Sequence, residues 1–400
     1  MRWDCPPRFV RLVLVTRVGE VVGQWPPLPV ESPRWSEVAS IVRAAKERHG
    51  VTVTVLRLLE ADKPGPPGGT VTYLAEVGDR VVADTWAGAL DDHTLRLDYA
   101  RPGGPDADLA WADAALVGRG LERIAPAEQM RTWNLSSLWR LPVPGSYIWL
   151  KVVPPFFAHE GAVIERLAGG PVPRLVARDG PRILMGEVPG EDQYEARLPR
   201  LARMVPLLVA LQRDSIGHVE DWLALGMPDW RERALTPLIV NVVERTAAEL
   251  SAVDLATLDE FIDGLPARFR GVAACGIPDT LVHGDFHPGN VRGDETSLVC
   301  LDWGDSGIGH PMLDQPAFLG AIPAEAVEPI RSLWNGLWRT MVPGTDPDRA
   351  ADLLAPIAAA RLAVVYRRFL DGIERSEHVY HRGDSAIWLR EAARLVRART

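Results

Sequence analysis

The sequence predicts an α+β chain whose β-rich first part precedes a helix-rich second part, the two parts facing each other as lobes. Three observations carry this. At 400 residues the chain exceeds what one hydrophobic core usually organises. Short β-branched runs are concentrated before Val188, and long runs of helical period dominate after it. Hydrophobic residues make up 47% and charged residues 24%, the balance of a globular protein.

The elements follow in order. FVRLVLVTRVGEVVG alternates about a glycine turn and predicts a hairpin. WSEVASIVRAAKERHG places Val38, Ile41, Val42 and Ala45 on one helical face, stopped by Gly50. VTVTVLRLLEA and GGTVTYLAEV read as strands around the loop KPGPPGG, and a short helix is expected in DADLAWADAALVGRG. These form a small domain over residues 1–122. A second β-rich stretch, WNLSSLWRLP and SYIWLKVV, leads to a helix in FAHEGAVIERLA and to strands in PRLVARDGPRILMGEV. The expected division of this part is an N-lobe over 123–187 and a C-lobe over 188–400. RLPRLARMVPLLVALQRD, WRERALTPLIVNVVERTAAEL and ATLDEFIDGLPARFRGV are helices by period and length. Further helices run to the end.

Composition excludes several classes. A net charge of −9 argues against non-specific nucleic-acid binding. No apolar run approaches the roughly 18 residues of a membrane span, and the N-terminus lacks a signal-peptide core, so a cytoplasmic location is expected. Cys5, Cys275 and Cys300 show no metal or redox spacing and read as reduced thiols. The 14 tryptophans mostly sit at helical or strand spacing and read as packing. Trp222 and Trp230, with Glu220, Asp221 and Asp229, are the group that would line an acceptor pocket, or else an exposed interhelical loop.

LVHGDFHPGN (281–290) concentrates two histidines, Asp285 and Asn290 directly after apolar residues. A metal site, a strained turn and a phosphoryl-transfer loop compete as explanations. Asp302 follows twelve residues after Asn290 in LVCLDWGD, and three oxygen-bearing side chains on neighbouring loops suit Mg²⁺ shared with substrate phosphates. A cation is also in place. Only Lys46, Lys63 and Lys151 are lysines among 44 basic residues, so Lys151, in the apolar strand YIWLKVV, requires a reason.

H-G-D-x-H-x-x-N followed by a strand and D-W-G-D resembles the aminoglycoside phosphotransferase family, a branch of the protein-kinase-like fold that phosphorylates small molecules. The resemblance runs from about residue 125 to the C-terminus. It implies a bilobal fold, ATP and Mg²⁺ as cofactors, and a small hydroxylated acceptor such as an aminoglycoside-like antibiotic, a sugar or an amino alcohol. By position it makes Asp285 the catalytic base and assigns metal binding to Asn290 and Asp302. His283 and His287 brace the loop. Nucleotide binding falls to Lys151 with its helix partner Glu160, to Ser136 in a phosphate-covering loop (134–137), and to Met185, Glu187 and Val188 at the hinge. The alternative on the same fold is a non-catalytic nucleotide-binding regulatory protein. Gly284 stands where protein kinases carry arginine, and His310-Pro311 restarts structure eight residues after Asp302, leaving no room for a peptide-docking segment.

The leading domain resembles a degenerate Nudix module. IVRAAKERHG keeps Arg43, Glu47 and Gly50 of R-E-x-x-E-E-x-G, while Ala44 and Arg48 replace two metal-binding glutamates. The expected role is packing, homodimer formation or ligand sensing.

Overall fold

A computed structural model of the protein describes residues 6–78 and 81–398; Cys5 lies outside them. The chain divides into two compact units. The first takes Met1–Phe156 through its described residues, Leu175–Glu187 and Phe369–Arg382. The second takes Phe157–Arg174, Val188–Arg368 and the described residues from Gly383 onward.

The first unit contains two sheets. β1 (Arg8–Val15) and β2 (Val21–Val30) form the expected hairpin, α1 (Ala39–His49) follows, then β3 (Val53–Ala61) and β4 (Gly69–Val77). The sheet order is β2-β1-β4-β3, with β1 parallel to β4 and the other pairs antiparallel. Strand alternation sorts the interior onto two faces. Leu12 and Leu14 join Trp25, Trp35, Ile41 and Ala45 in one core cluster, while Val13 and Val15 join Leu56 and Leu74 in another. Gly50 ends α1 in the left-handed region at φ 70°, its N–H closing on the Lys46 carbonyl.

After α2 (Gly104–Val117) come β5 (Glu128–Trp133), β6 (Ser136–Val143), β7 (Ser146–Val152), β8 (Leu175–Asp179) and β9 (Arg182–Gly186). They pair antiparallel in the order β5-β6-β7-β9-β8, so β7 is the central strand. The expected boundary near residue 122 falls between these two sheets, inside the first unit.

A turn from the far end of the chain completes this unit. Glu374 receives Arg96 through two guanidinium nitrogens. The Glu377 carboxylate accepts from the Leu58 N–H of β3 at 2.9 Å, and Tyr380 packs edge-on against Trp35 and Trp133.

The second unit is mostly helical: α3 (Glu160–Arg166), α4 (Leu198–Asp214), α5 (Val219–Leu223), α6 (Glu232–Thr246), α7 (Ala252–Ala273), α8 (Gln315–Gly320), α9 (Ala324–Met341), α10 (Pro347–Gly372) and α11 (Asp384–Arg397). The last residues of α10 belong to the first unit. On α9, Ile330, Trp334 and Trp338 recur every four residues and are fully buried, which accounts for two tryptophans as core. Two small strand sets interrupt the helices. β10 (Glu191–Asp192), β12 (Val291–Gly293) and β13 (Leu298–Cys300) form one, and β11 (Thr280–Val282) pairs antiparallel with β14 (Gly307–Gly309) in the other. Cys275 and Cys300 are buried free thiols. Among the described residues no helix is long and apolar enough to cross a membrane.

Candidate active site

β11 delivers the chain into the loop 283–290, and the loop's side chains close on one another. The Asn290 amide donates through Nδ2 to the Asp285 carbonyl at 2.9 Å and to its Oδ2 at 3.0 Å. This points the remaining Asn290 oxygen away from Asp285. His287 accepts the Gly289 N–H on Nδ1, so its proton sits on Nε2, 3.5 Å from Asp285 Oδ2. Burial alone would lower the His287 pKa, but the Asp285 hydrogen bond and the charges of Asp285 and Asp302 outweigh it and raise it. Oδ2 of Asp285 is thus engaged twice, while Oδ1 makes no hydrogen bond among the described residues. The side chain is 46% exposed.

Asp302 is placed by the neighbouring strands. The Leu301 N–H donates to the Asn290 carbonyl at 2.8 Å, which ties the Asp302 segment to the end of the loop. Asp302 itself has φ 62°, the one positive φ found outside glycine among the described residues. That conformation costs energy in an L-residue and recurs where function fixes a side chain. His283 is fully buried; Nε2 donates to the Leu301 carbonyl at 2.9 Å and the ring lies 4.5 Å from that of Trp303. Burial lowers its pKa against the nearby carboxylates, so it stays neutral.

Gly284 is required by geometry. Its φ is +87°, and a Cβ would sit 2.0 Å from the Asp305 carbonyl oxygen. No side chain fits at this position.

Two clamping residues escaped the sequence reading. Buried Asp314 accepts from the backbone N–H groups of His283 (2.9 Å) and Gly284 (2.7 Å) and from Gln212 Nε2 (2.9 Å). Buried Arg361 donates to the Gly284 carbonyl at 2.8 Å, and its charge favours the Asp314 carboxylate. The signal for Arg361 was present: a lone charge in the apolar helical run APIAAARLAVV. Asp314 carried no local signal beyond following His310-Pro311.

In the first unit, Lys151 lies on β7, paired with Leu138 and Ile183. Met185 sits in the β9 ladder opposite Trp149. The Glu187 N–H donates to the Tyr147 carbonyl and its carboxylate accepts from the Trp149 indole. Glu160, in the second unit, opens α3 and is buried. The Val188 carbonyl there accepts from Arg292 Nε at 2.8 Å.

Residues 134–137, expected to cover the phosphates, are the β5–β6 turn and the start of β6. β5 and β6 join through a tight turn at Asn134-Leu135, and its polar groups are taken. Asn134 bonds Glu377 and His381, Ser136 Oγ accepts from Trp133 Nε1, and Ser137 Oγ accepts from Trp139 Nε1. Ser136 is buried and serves the hairpin. Of the Trp222–Trp230 group, Asp229 and Trp230 line a cleft in the second unit. Both rings are buried; Asp221 pairs with Arg166, while Glu220 and Asp229 both pair with Arg231.

No curated protein matches the chain in sequence. Among solved structures, choline kinase LicA from Streptococcus pneumoniae superposes with TM-score 0.53 at 12% identity, covering 74% of this chain and 99% of that one. Choline kinase from Cryptosporidium parvum gives 0.52 at 10% identity, covering 74% and 97%. These likenesses show the kinase-like fold. Residues 139–353 match the phosphotransferase enzyme family (APH), more than half of the chain. The chain belongs to that family.

Proposed function

We propose that this small-molecule kinase transfers the γ-phosphoryl group of ATP, with Mg²⁺, to a hydroxyl of an aminoglycoside-like antibiotic, a sugar or an amino alcohol. The observation that carries the reading is the arrangement at Asp285: one carboxylate oxygen held by Asn290 and His287, the other left for a proton. The acceptor oxygen bonds to the γ-phosphorus as the bond to the β-phosphate oxygen breaks and ADP leaves. The hydroxyl proton passes to Asp285 Oδ1. Asn290 and Asp302 fit a hard cation, because both offer oxygen and the Asn290 amide nitrogen is already committed to Asp285. Mg²⁺ bound there supplies charge neutralisation on the phosphates. Lys151 holds the phosphates from β7 with Glu160 as its carboxylate partner, and the Glu187 carbonyl and Val188 N–H are the hinge groups left for the base.

One observation favours the non-catalytic alternative. The β5–β6 turn, where kinases cover the nucleotide, is pinned by Glu377 and His381. A screen of ATP consumption across hydroxylated antibiotics, sugars and amino alcohols separates the two, with Asp285→Ala as control. Acceptor-dependent turnover lost in the variant supports the kinase reading. Nucleotide binding without turnover on any acceptor supports the alternative. For the leading sheet we propose packing or dimerisation without hydrolysis, since α1 carries a single carboxylate, Glu47.

A further inference from the structure

We propose a second ligand site, separate from the catalytic loop, that binds a small apolar molecule bearing an ammonium group. It is a cleft of ≈ 1070 Å³ in the second unit, at the end of β11 opposite the loop. Asp279, the residue just before β11, and His310, the residue just after β14, flank the Thr280–Gly309 pair in sequence, and both line the cleft. Pro237, Phe269, Leu354 and Ile357 provide apolar wall. The size and lining are those of a small-molecule cleft.

Charge selects the occupant. Asp279 has no hydrogen-bond or ion-pair partner among the described residues. Of the two arginines that line the cleft, Arg233 is exposed on α6 and Arg231 is already committed, giving Nε and Nη2 to Asp229 and reaching Glu220 at 3.4 Å. Burial accordingly pushes the Asp279 carboxyl up, with Arg231 opposing and Asp229 adding to the rise. His310 is 6% exposed and accepts the Met312 N–H on Nδ1, so its proton lies on Nε2, which has no partner. Burial pulls its pKa down to about 3, so it is a neutral donor and no competing cation. An uncommitted carboxylate beside an orphaned N–H, set in apolar wall, suits an amine that also carries a hydroxyl or carbonyl acceptor.

The cleft also touches the catalytic loop through one side chain. Trp230 lines it; the Arg361 guanidinium stacks 5.4 Å over that ring and bonds the Gly284 carbonyl.

Calorimetry on the full chain tests this with a phenylhexylamine and the matching phenylhexanol. The amine is expected to bind at one site. Asp279→Asn weakens it about tenfold or more, the loss of one charge-assisted hydrogen bond, and leaves the alcohol unaffected. Pro237→Trp, at an exposed wall position, blocks the amine sterically and covers the case in which Asp279→Asn fails to fold. Asp285→Asn leaves amine affinity unchanged. The proposal is overturned by absence of binding to the natural chain, by equal amine affinity in folded Asp279→Asn, or by binding that disappears in Asp285→Asn.

Discussion

Glu377 makes the stability of the first unit depend on pH, and the sign is fixed by its surroundings. The side chain is 3% exposed, accepts the Leu58 N–H, and faces Asn134 Nδ2 at 3.4 Å. Burial lifts its pKa from 4.5 to about 8; the Leu58 hydrogen bond, Arg57 and Asn134 oppose the rise and Glu374 adds to it. A carboxyl whose pKa is higher folded than unfolded binds more protons in the folded state. Its contribution is therefore full below pH 4.5 and is lost as pH climbs through about 8. At roughly 1.4 kcal/mol per pH unit, the whole window is worth about 5 kcal/mol at most. Glutamine carries no charge at any pH. Chemical denaturation of the natural chain and Glu377→Gln at intervals from pH 5 to pH 8, read by tryptophan fluorescence, isolates the group. The natural chain should lose stability relative to the variant by several kcal/mol across that range. Parallel profiles would refute the argument, whatever their constant offset.

Three further outcomes follow from the site. Gly284→Ala forces a Cβ into the Asp305 carbonyl at a positive φ, so turnover should fall by about 100-fold or more and the melting temperature should drop; an unchanged kcat would contradict the close approach. Arg361→Leu removes the donor to the Gly284 carbonyl and a charge that favours the buried Asp314 carboxylate, and should cost about 1–3 kcal/mol in urea denaturation. A cost under about 1 kcal/mol would show that the clamp is not needed. Lys151→Arg should raise KM for ATP and lower kcat/KM by about tenfold or more while the melting temperature holds, because a planar guanidinium does not replace a compact ammonium; unaltered kinetics would remove Lys151 from the phosphates.

Local pattern made part of this molecule legible. β1 to β4, α1, β6 and β7 follow β-branched alternation or helical period, and the loop 283–290 was readable because Asp285 and Asn290 meet only five residues apart. What stayed hidden depends on distance along the chain or on burial of charge. β5, EQMRTW, has a polar sequence that forms a strand only because β6 supplies its ladder. Glu377 returns to Leu58 across 319 residues, and no periodicity announces such a contact. The same return bonds the turn at Asn134, which by the family resemblance reads as a phosphate-covering loop. Asp314 and Arg361 are charged residues used inside the core, and composition treats such residues as surface by default.

The central claim is that Asp285 takes the acceptor proton during phosphoryl transfer. Single-turnover phosphorylation of an acceptor found by the screen, followed by mass spectrometry in the natural chain and in Asp285→Asn, tests it most directly. Asparagine keeps the shape and the Asn290 contact but cannot accept the proton, so the rate should fall about 10²- to 10⁴-fold with nucleotide affinity retained. A rate in Asp285→Asn within a few-fold of the natural chain would contradict the claim.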